Sequence, residues 1–305
     1  MDSAGSDDTG MQGTDRLFRS AAFPDALQQL PGIRLSAGTA GDAFIGAQGA
    51  QLLSWQGGDG RERLYLSSTS GGARIDDSLS GGEAAAIRGG IPVCFPQFSD
   101  RGDLLKHGFA RNQPWRLAAR GAQTATLCLA SDLITARHWP HAFHAELRVA
   151  LAPGMLQVTL AVLNTGNAPW SFTAALHTYL RVDDIRAARL AGLQGVQYQD
   201  ATDGCIVKTQ QEQQLAIGGE VDRVYLAPPD ALLLHEGGRP VLQISQHGFA
   251  DTVVWNPGPD KARALPDFPD EDWLRMLCVE AACAAAPVRL EPGQCWEGGQ
   301  TLALA

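Results

Sequence analysis

The sequence predicts an all-β protein, a large antiparallel β-sandwich with few short helices. Three observations carry that expectation. The 305 residues include 34 glycines and 17 prolines, and glycine above its ordinary share of roughly 7% implies many turns. Short apolar runs alternate with polar residues at the two-residue period of a half-buried strand. These runs are also too numerous for one flat sheet, so two packed sheets are expected.

From about residue 33 the runs come in order: Ile33-Arg34-Leu35, Phe44-Ile45, Gln51 to Trp55, and Leu64-Tyr65-Leu66. The clearest hairpin is Ala145 to Leu151, a Pro153-Gly154 turn, then Leu156 to Val162. Apolar residues at 145, 147, 149 and 151, and at 156, 158, 160 and 162, share one face of each strand. Asn164-Thr165-Gly166-Asn167 closes that hairpin, and Phe172 to Leu180 reads as the next strand. Further strands are expected at Val224 to Leu226, Ala231 to His235, Val241 to Ser245, Thr252 to Trp255, Leu274 to Ala282, Val288 to Leu290 and Thr301 to Leu304. Helices are limited to Asp25 to Leu30, part of Ser78 to Ile87, and Asp270 to Trp273. The acidic N-terminus, residues 1–14, reads as a disordered tail, and residues 15–305 as a single β-sandwich domain.

Composition removes several classes of function. With 24 Lys+Arg against 33 Asp+Glu the net charge is −9, which opposes broad nucleic-acid binding. No run of 18 apolar residues spans a bilayer, and the start of the chain lacks the basic and apolar regions of a signal peptide. The six cysteines, 94, 128, 205, 278, 283 and 295, form no C-x-x-C pair and read as small buried hydrophobes in a reducing, cytoplasmic setting. A monomer without membrane or nucleic-acid partners is expected. The phosphate loop, the dinucleotide-binding G-x-G-x-x-G, the G-x-S-x-G elbow and H-E-x-x-H are all absent. The run His138-Trp139-Pro140-His141-Ala142-Phe143-His144 is a poor metal site, because 141 points away from 138 and 144 on a strand and Pro140 disturbs a helix. It reads as a polar loop entering a strand. Neither a metal nor a cofactor is expected.

One stretch concentrates chemistry: Ile87-Arg88-Gly89-Gly90-Ile91-Pro92-Val93-Cys94-Phe95-Pro96-Gln97-Phe98, then Lys106-His107-Gly108-Phe109-Ala110-Arg111-Asn112-Gln113-Pro114-Trp115. Glycines allow a backbone to approach a ligand, aromatic rings stack on sugar faces, and Arg forks grip phosphate or carboxylate. The residues by themselves leave two readings open: a ligand loop, or a turn-rich loop with solvated cations and core aromatics. A protein of charge −9 holds an anionic sugar phosphate only where cations gather, which favours the ligand loop.

The segments R-G-G-I-P-x-C-F-P-Q-F and H-G-F-A-R-N-x-P-W resemble the hexose-6-phosphate mutarotases (glucose-6-phosphate 1-epimerases), a branch of the aldose 1-epimerase superfamily. The resemblance continues through Ala174 to Val182, Gly192 to Asp200, Glu220 to Tyr225, Val253 to Pro257 and Met276 to Ala282. It implies a galactose mutarotase-like supersandwich and an isomerase that interconverts α and β anomers of a hexose 6-phosphate. The substrate is the one partner it implies.

Residue by residue, the resemblance implies Glu280 as the base that takes the anomeric hydroxyl proton and His177 as the acid that protonates the ring oxygen. It implies substrate contacts from Arg88 and Arg111, at least one of them to phosphate, with Lys106 as a further contact. His107 is implied at a sugar hydroxyl or the ring oxygen, and Asp222 as an acceptor for hydroxyls. Trp255 either stacks on the sugar or packs in the core. Independently of the family, side-chain parity groups Glu280 with Cys278 and Ala282, a small-residue face that leaves room for a ligand. A carboxylate among such apolar neighbours is rarely buried unless paired or functional. Three other readings stand beside this one: a mutarotase for free aldoses, a non-catalytic sugar-binding protein, and a β-sandwich glycosidase or lyase. The last lacks a second carboxylate with a clear pairing to Glu280.

Overall fold

The computed structural model describes residue 27 and residues 30–69 and 87–305. The expected acidic tail, the helix at Asp25 to Leu30 and the helix within Ser78 to Ile87 fall almost wholly outside the described residues.

The chain opens with β1 (Gly32–Ser36), β2 (Gly41–Gly46), β3 (Leu52–Gly57) and β4 (Val93–Cys94). It continues with β5 (Arg116–Arg120), β6 (Thr124–Ala130), β7 (Phe143–Ala152), β8 (Met155–Asn164), β9 (Trp170–Leu176) and β10 (Tyr179–Arg181). Shorter strands follow: β11 (Arg189–Ala191), β12 (Gln197–Asp200), β13 (Ile206–Thr209), β14 (Gln214–Ala216) and β15 (Val221–Leu226). The last five are β16 (Ala231–Glu236), β17 (Arg239–His247), β18 (Asp251–Asn256), β19 (Met276–Leu290) and β20 (Cys295–Leu304). Two α-helices lie among the described residues, α1 (Thr135–His138) and α2 (Gly258–Ala264).

These strands form a three-stranded sheet β1-β2-β3, an eight-stranded sheet β13-β12-β15-β18-β19-β9-β4 with β10 also on β19, and a nine-stranded sheet β14-β11-β16-β17-β20-β8-β7-β6-β5. The named strand pairs are antiparallel, as the turn-rich sequence predicts. Strand alternation explains how the layers bind. Leu147, Val149, Leu156, Val158, Leu160 and Val162 of the β7–β8 hairpin are all at most 2% exposed, while Arg148 between them is exposed. Their buried face joins Leu176, Val254, Leu277, Val279 and Ala281 of the eight-stranded sheet in one apolar cluster. Burying a Leu or Val side chain contributes about 1.5–3 kcal/mol, so this interlayer seam is what holds the site's strands still.

Four expectations are corrected. Phe172 to Leu180 is two strands, not one, interrupted at His177-Thr178. Leu274 to Ala282 and Val288 to Leu290 are one strand, β19. Asp270 to Trp273 is a 3-10 turn at Asp272–Arg275. Cys205 and Cys295 are exposed, while the other four cysteines are buried. The expected helices do not include α2, although its proline at the first helical turn suits a helix start.

Candidate active site

Strand register builds the floor of the site. Leu176 pairs with Ala281 and Tyr179 pairs with Cys278; both pairs sum to 457, so position 177 stands opposite 280 across the interruption. Directly opposed residues hold their Cβ atoms about 4.5–5.5 Å apart. His177 Nδ1 accordingly lies 3.1 Å from Glu280 Oε1. The row continues through Val253, opposite Glu280, to Val224, opposite Val253. Two residues along each strand, on the same face, a second row runs Tyr179, Cys278, Trp255, Asp222.

The break in the strand is secured from beneath. The Val279 N–H donates to the Thr178 carbonyl at 3.1 Å, and the Thr178 hydroxyl donates to Gln300 Oε1 on β20. Gln300 Nε2 in turn donates to the Val279 carbonyl at 3.0 Å. This buried link ties the second sheet to the backbone that carries the His–Glu pair.

Above these rows lies a cavity of about 560 Å³, a size suited to a small ligand. Its wall includes all eight residues singled out by sequence: Arg88, Lys106, His107, Arg111, His177, Asp222, Trp255 and Glu280. The sequence reading assigned no role to Tyr179, Arg101 and Lys261, which also line it. Tyr179 had a detectable signal, being two residues from His177 on an extended segment, and its ring stacks on the imidazole at 4.6 Å. Arg101 and Lys261 had none, since a loop and the short α2 carry them in. Trp255 meets both His177 and Tyr179 edge-on and reaches the cavity as well as the core.

The glycines do something other than expected. Gly89 and Gly90, at φ +118 and +61, lie so close to Tyr65 and Leu52 that an added Cβ would sit 2.4 and 2.1 Å from their carbonyl oxygens. They admit the protein's own backbone, not a ligand. Phe95, Phe109 and Trp115 are likewise core residues, at most 5% exposed. The cations and His107 line the cavity, while those aromatics belong to the core.

The electrostatics follow from burial. Glu280 is 1% exposed and its carboxyl is pushed well up from the ordinary range, first by burial and then by the Asp222 carboxylate. His177, 7% exposed, is pushed well down by burial, then by His107, Arg111 and Arg88. Burial thus disfavours charge on both partners. The two are near but not aligned: among the described residues neither His177 Nδ1 nor Glu280 Oε2 has a hydrogen-bond partner. Buried polar atoms are mostly hydrogen-bonded, so two unpartnered ones side by side at a cavity floor call for a strain, a water or a ligand to account for them.

His107 occupies a left-handed backbone conformation, φ 68. The Ser99 N–H donates to its Nδ1 at 3.2 Å, so the neutral ring carries its proton on Nε2. Burial, followed by Arg111, Lys106 and Arg88, holds the imidazole at about 2 and hence uncharged. Asp222 is raised by burial. Arg88 Nε donates to Asp267 Oδ1 at 2.9 Å, and its guanidinium reaches the Tyr179 hydroxyl at 3.4 Å. Arg111 donates to the Lys106 carbonyl at 3.0 Å, and Lys261 pairs with Glu220 at 2.7 Å. Five cations, Arg88, Arg101, Lys106, Arg111 and Lys261, face three carboxylates, Asp100, Asp222 and Glu280, around the cavity.

A packed antiparallel supersandwich with a buried His–Glu pair under a cation-lined, aromatic-walled cavity is the arrangement of the mutarotase class. The aldose 1-epimerase family matches residues 31–303, and the chain belongs to that family. It is an isomerase that interconverts sugar anomers. It is 38% identical over 272 residues to the "Putative glucose-6-phosphate 1-epimerase" of Cenchrus ciliaris, covering 84% of this chain and 79% of that one. It is 31% identical over 256 residues to the protein of the same name from Salmonella typhimurium, covering 80% and 81%. Among solved structures, a Salmonella typhimurium mutarotase-like protein matches with a TM-score of 0.76 at 27% identity, covering 90% of this chain and 97% of that one. A galactose mutarotase-related enzyme of Lactobacillus acidophilus shares the fold, with a TM-score of 0.70 at 13% identity and coverage of 90% and 97%.

Proposed function

We propose that the protein interconverts the α and β anomers of a hexose 6-phosphate, with His177 and Glu280 as the proton-transferring pair. The carrying observation is their 3.1 Å approach at the floor of a cavity lined by five cations. In ring opening, the Glu280 carboxylate takes the proton from the hydroxyl on C1 as protonated His177 gives one to the ring oxygen. The C1–O5 bond breaks and an aldehyde forms. Rotation about C1–C2 presents the other carbonyl face, and reclosure returns each proton by the reverse route.

Proton counting fits the burial. The active pair needs one proton between its two members, and the neutral form that burial favours, protonated Glu280 beside uncharged His177, holds that same number. A proton transfer across the gap interconverts the two forms. Arg111 favours the ionised carboxylate, as would a sugar hydroxyl donating to Glu280 Oε2. His107, with Nε2–H as its donor, suits the ring oxygen or a neighbouring hydroxyl. Asp222 suits the sugar hydroxyls, and Trp255 and Tyr179 its apolar face.

Phosphate recognition is proposed for Arg111 and Lys106, with Arg88 oriented by Asp267 as a third contact. The same cations support a sugar phosphate over a free aldose, which has no charge for them to meet. Exchange between anomers, followed by magnetisation-transfer NMR on glucose 6-phosphate, glucose and galactose, tests the reading. Faster exchange of the phosphorylated sugar is expected. Equal or faster exchange of the free sugars would assign the cavity to unphosphorylated aldoses.

A further inference from the structure

Cys278 has no part in the proton transfers, yet it lies buried beside both groups that do. Its Sγ, a His177 ring nitrogen and a Glu280 oxygen all lie within 4.8 Å of one another. Register explains the cluster: Cys278 and Glu280 share one face of β19, and His177 stands opposite Glu280. His177 Nδ1 and Glu280 Oε2 are buried and unpartnered.

We propose that His177, Cys278 and Glu280 form a site for a thiophilic divalent cation of the Zn2+ class, and that this cation and the sugar exclude one another. Tetrahedral zinc takes S, N and O ligands at roughly 2.0–2.3 Å, which sets ligand-to-ligand edges of about 3.3–3.8 Å. The present cluster, within 4.8 Å, is looser than those edges, and a bound ion would draw it together. A thiolate and an imidazole select zinc, cadmium or cobalt over magnesium or calcium. Three protein ligands leave a fourth position for water, and two of the three, His177 and Glu280, line the cavity. Binding releases the thiol proton of Cys278 and the proton held by the His–Glu pair. The metal site stands on geometry alone, whereas the exclusion of sugar rests on the proposed roles of His177 and Glu280.

A second cluster, Cys128, His144 and Glu146, lies within the same 4.8 Å limit. It sits on the outer face of the nine-stranded sheet, where His144 Nε2 is already 3.4 Å from Glu146 Oε1. It serves as the internal control.

Co2+ titration of the whole protein provides a readout independent of activity. The wild type should show a thiolate-to-cobalt charge-transfer band that glucose 6-phosphate suppresses. Cys278→Ser should lose the band and weaken Zn2+ competition by roughly tenfold or more, while Cys128→Ser should retain both. Zn2+ should inhibit anomer exchange competitively in the wild type, EDTA should reverse it, and Mg2+ should have no effect. A band that persists in Cys278→Ser and vanishes in Cys128→Ser overturns the proposal, as does the lack of any band in the wild type. If Cys278→Ser fails to fold by circular dichroism, His177→Ala and the sugar competition in the wild type decide instead. Cobalt binding without exchange activity on any sugar would sink the functional reading and leave the metal site standing; a band insensitive to sugar would sink the exclusion.

Discussion

The floor and the rim of the cavity are built by different means. In the floor, Tyr179, Asp222, Trp255 and Glu280 sit on adjacent strands whose ladders fix their neighbours, and His177 lies in the short break between two of those strands, held by the pairs on either side. The rim, Arg88, Arg101, Lys106, Arg111 and Lys261, hangs from loops, a 3-10 turn and one short helix. Strands hold side chains to fractions of an ångström, which proton transfer demands. Loops tolerate change, which suits groups that select a substrate by charge. The difference predicts that floor substitutions lower kcat, while rim substitutions raise KM and do so by substrate.

The largest effect belongs to the floor. Glu280→Gln keeps the shape and removes the base, and should cost about 10²–10⁴ in kcat, or roughly 2.7–5.5 kcal/mol. His177→Ala should fall in the same range. NMR exchange at saturating substrate measures both, and wild-type rates in either variant would remove the pair from the mechanism.

A smaller, selective loss belongs to the rim. Arg111→Ala should raise KM for glucose 6-phosphate by roughly 10–100-fold, the worth of a charge-assisted hydrogen bond of about 1.5–3 kcal/mol. For free glucose it should change little. Equal losses on both sugars would move Arg111 from the phosphate to the sugar ring, and a kcat loss at constant KM would blur the division between floor and rim.

The same division governs what could be read from the sequence. Period-two alternation located the β7–β8 hairpin residue by residue, because a half-buried sheet imposes it, but β5, β6 and the short strands β11 to β14 went unnoticed. It also put Cys278, Glu280 and Ala282 on one face, and all three are buried. No spacing could pair His177 with Glu280, since the pairing depends on β19 lying between β18 and β9. The resemblance to known sequences supplied that link. The break at His177-Thr178 escaped notice because it is a backbone event held by Gln300, far along the chain. Lys261 and Arg101 escaped because nothing local distinguishes a rim cation from a solvated one. Gly89 and Gly90 misled, since a glycine that admits a ligand and one that admits another strand look alike in sequence.

A further effect is on stability, smallest when read per pH unit, and it isolates the burial of the floor. Glu280 has its proton affinity raised in the fold, so above about pH 4.3, where an unfolded Glu ionises, the native state holds a proton that the unfolded state has lost. Stability therefore falls as pH rises toward the native value, by at most about 1.4 kcal/mol per pH unit for this group. His177 acts in the opposite sense, because its proton affinity is lowered. Below about pH 6.5 the unfolded imidazole binds a proton that the native one refuses, so its contribution makes stability rise with pH and then levels off. The two slopes oppose each other below that pH, and only the Glu280 slope continues above it. Glu280→Gln, which cannot ionise, should gain stability over the wild type, and the gain should widen from pH 6.5 upward until Glu280 ionises in the fold. Urea titrations of the two proteins across pH 6 to 9 measure this difference directly. A constant difference across that range would mean that Glu280 is already ionised in the empty cavity, held so by the Arg111 side of the rim, and the pair would then enter the reaction with its proton on His177.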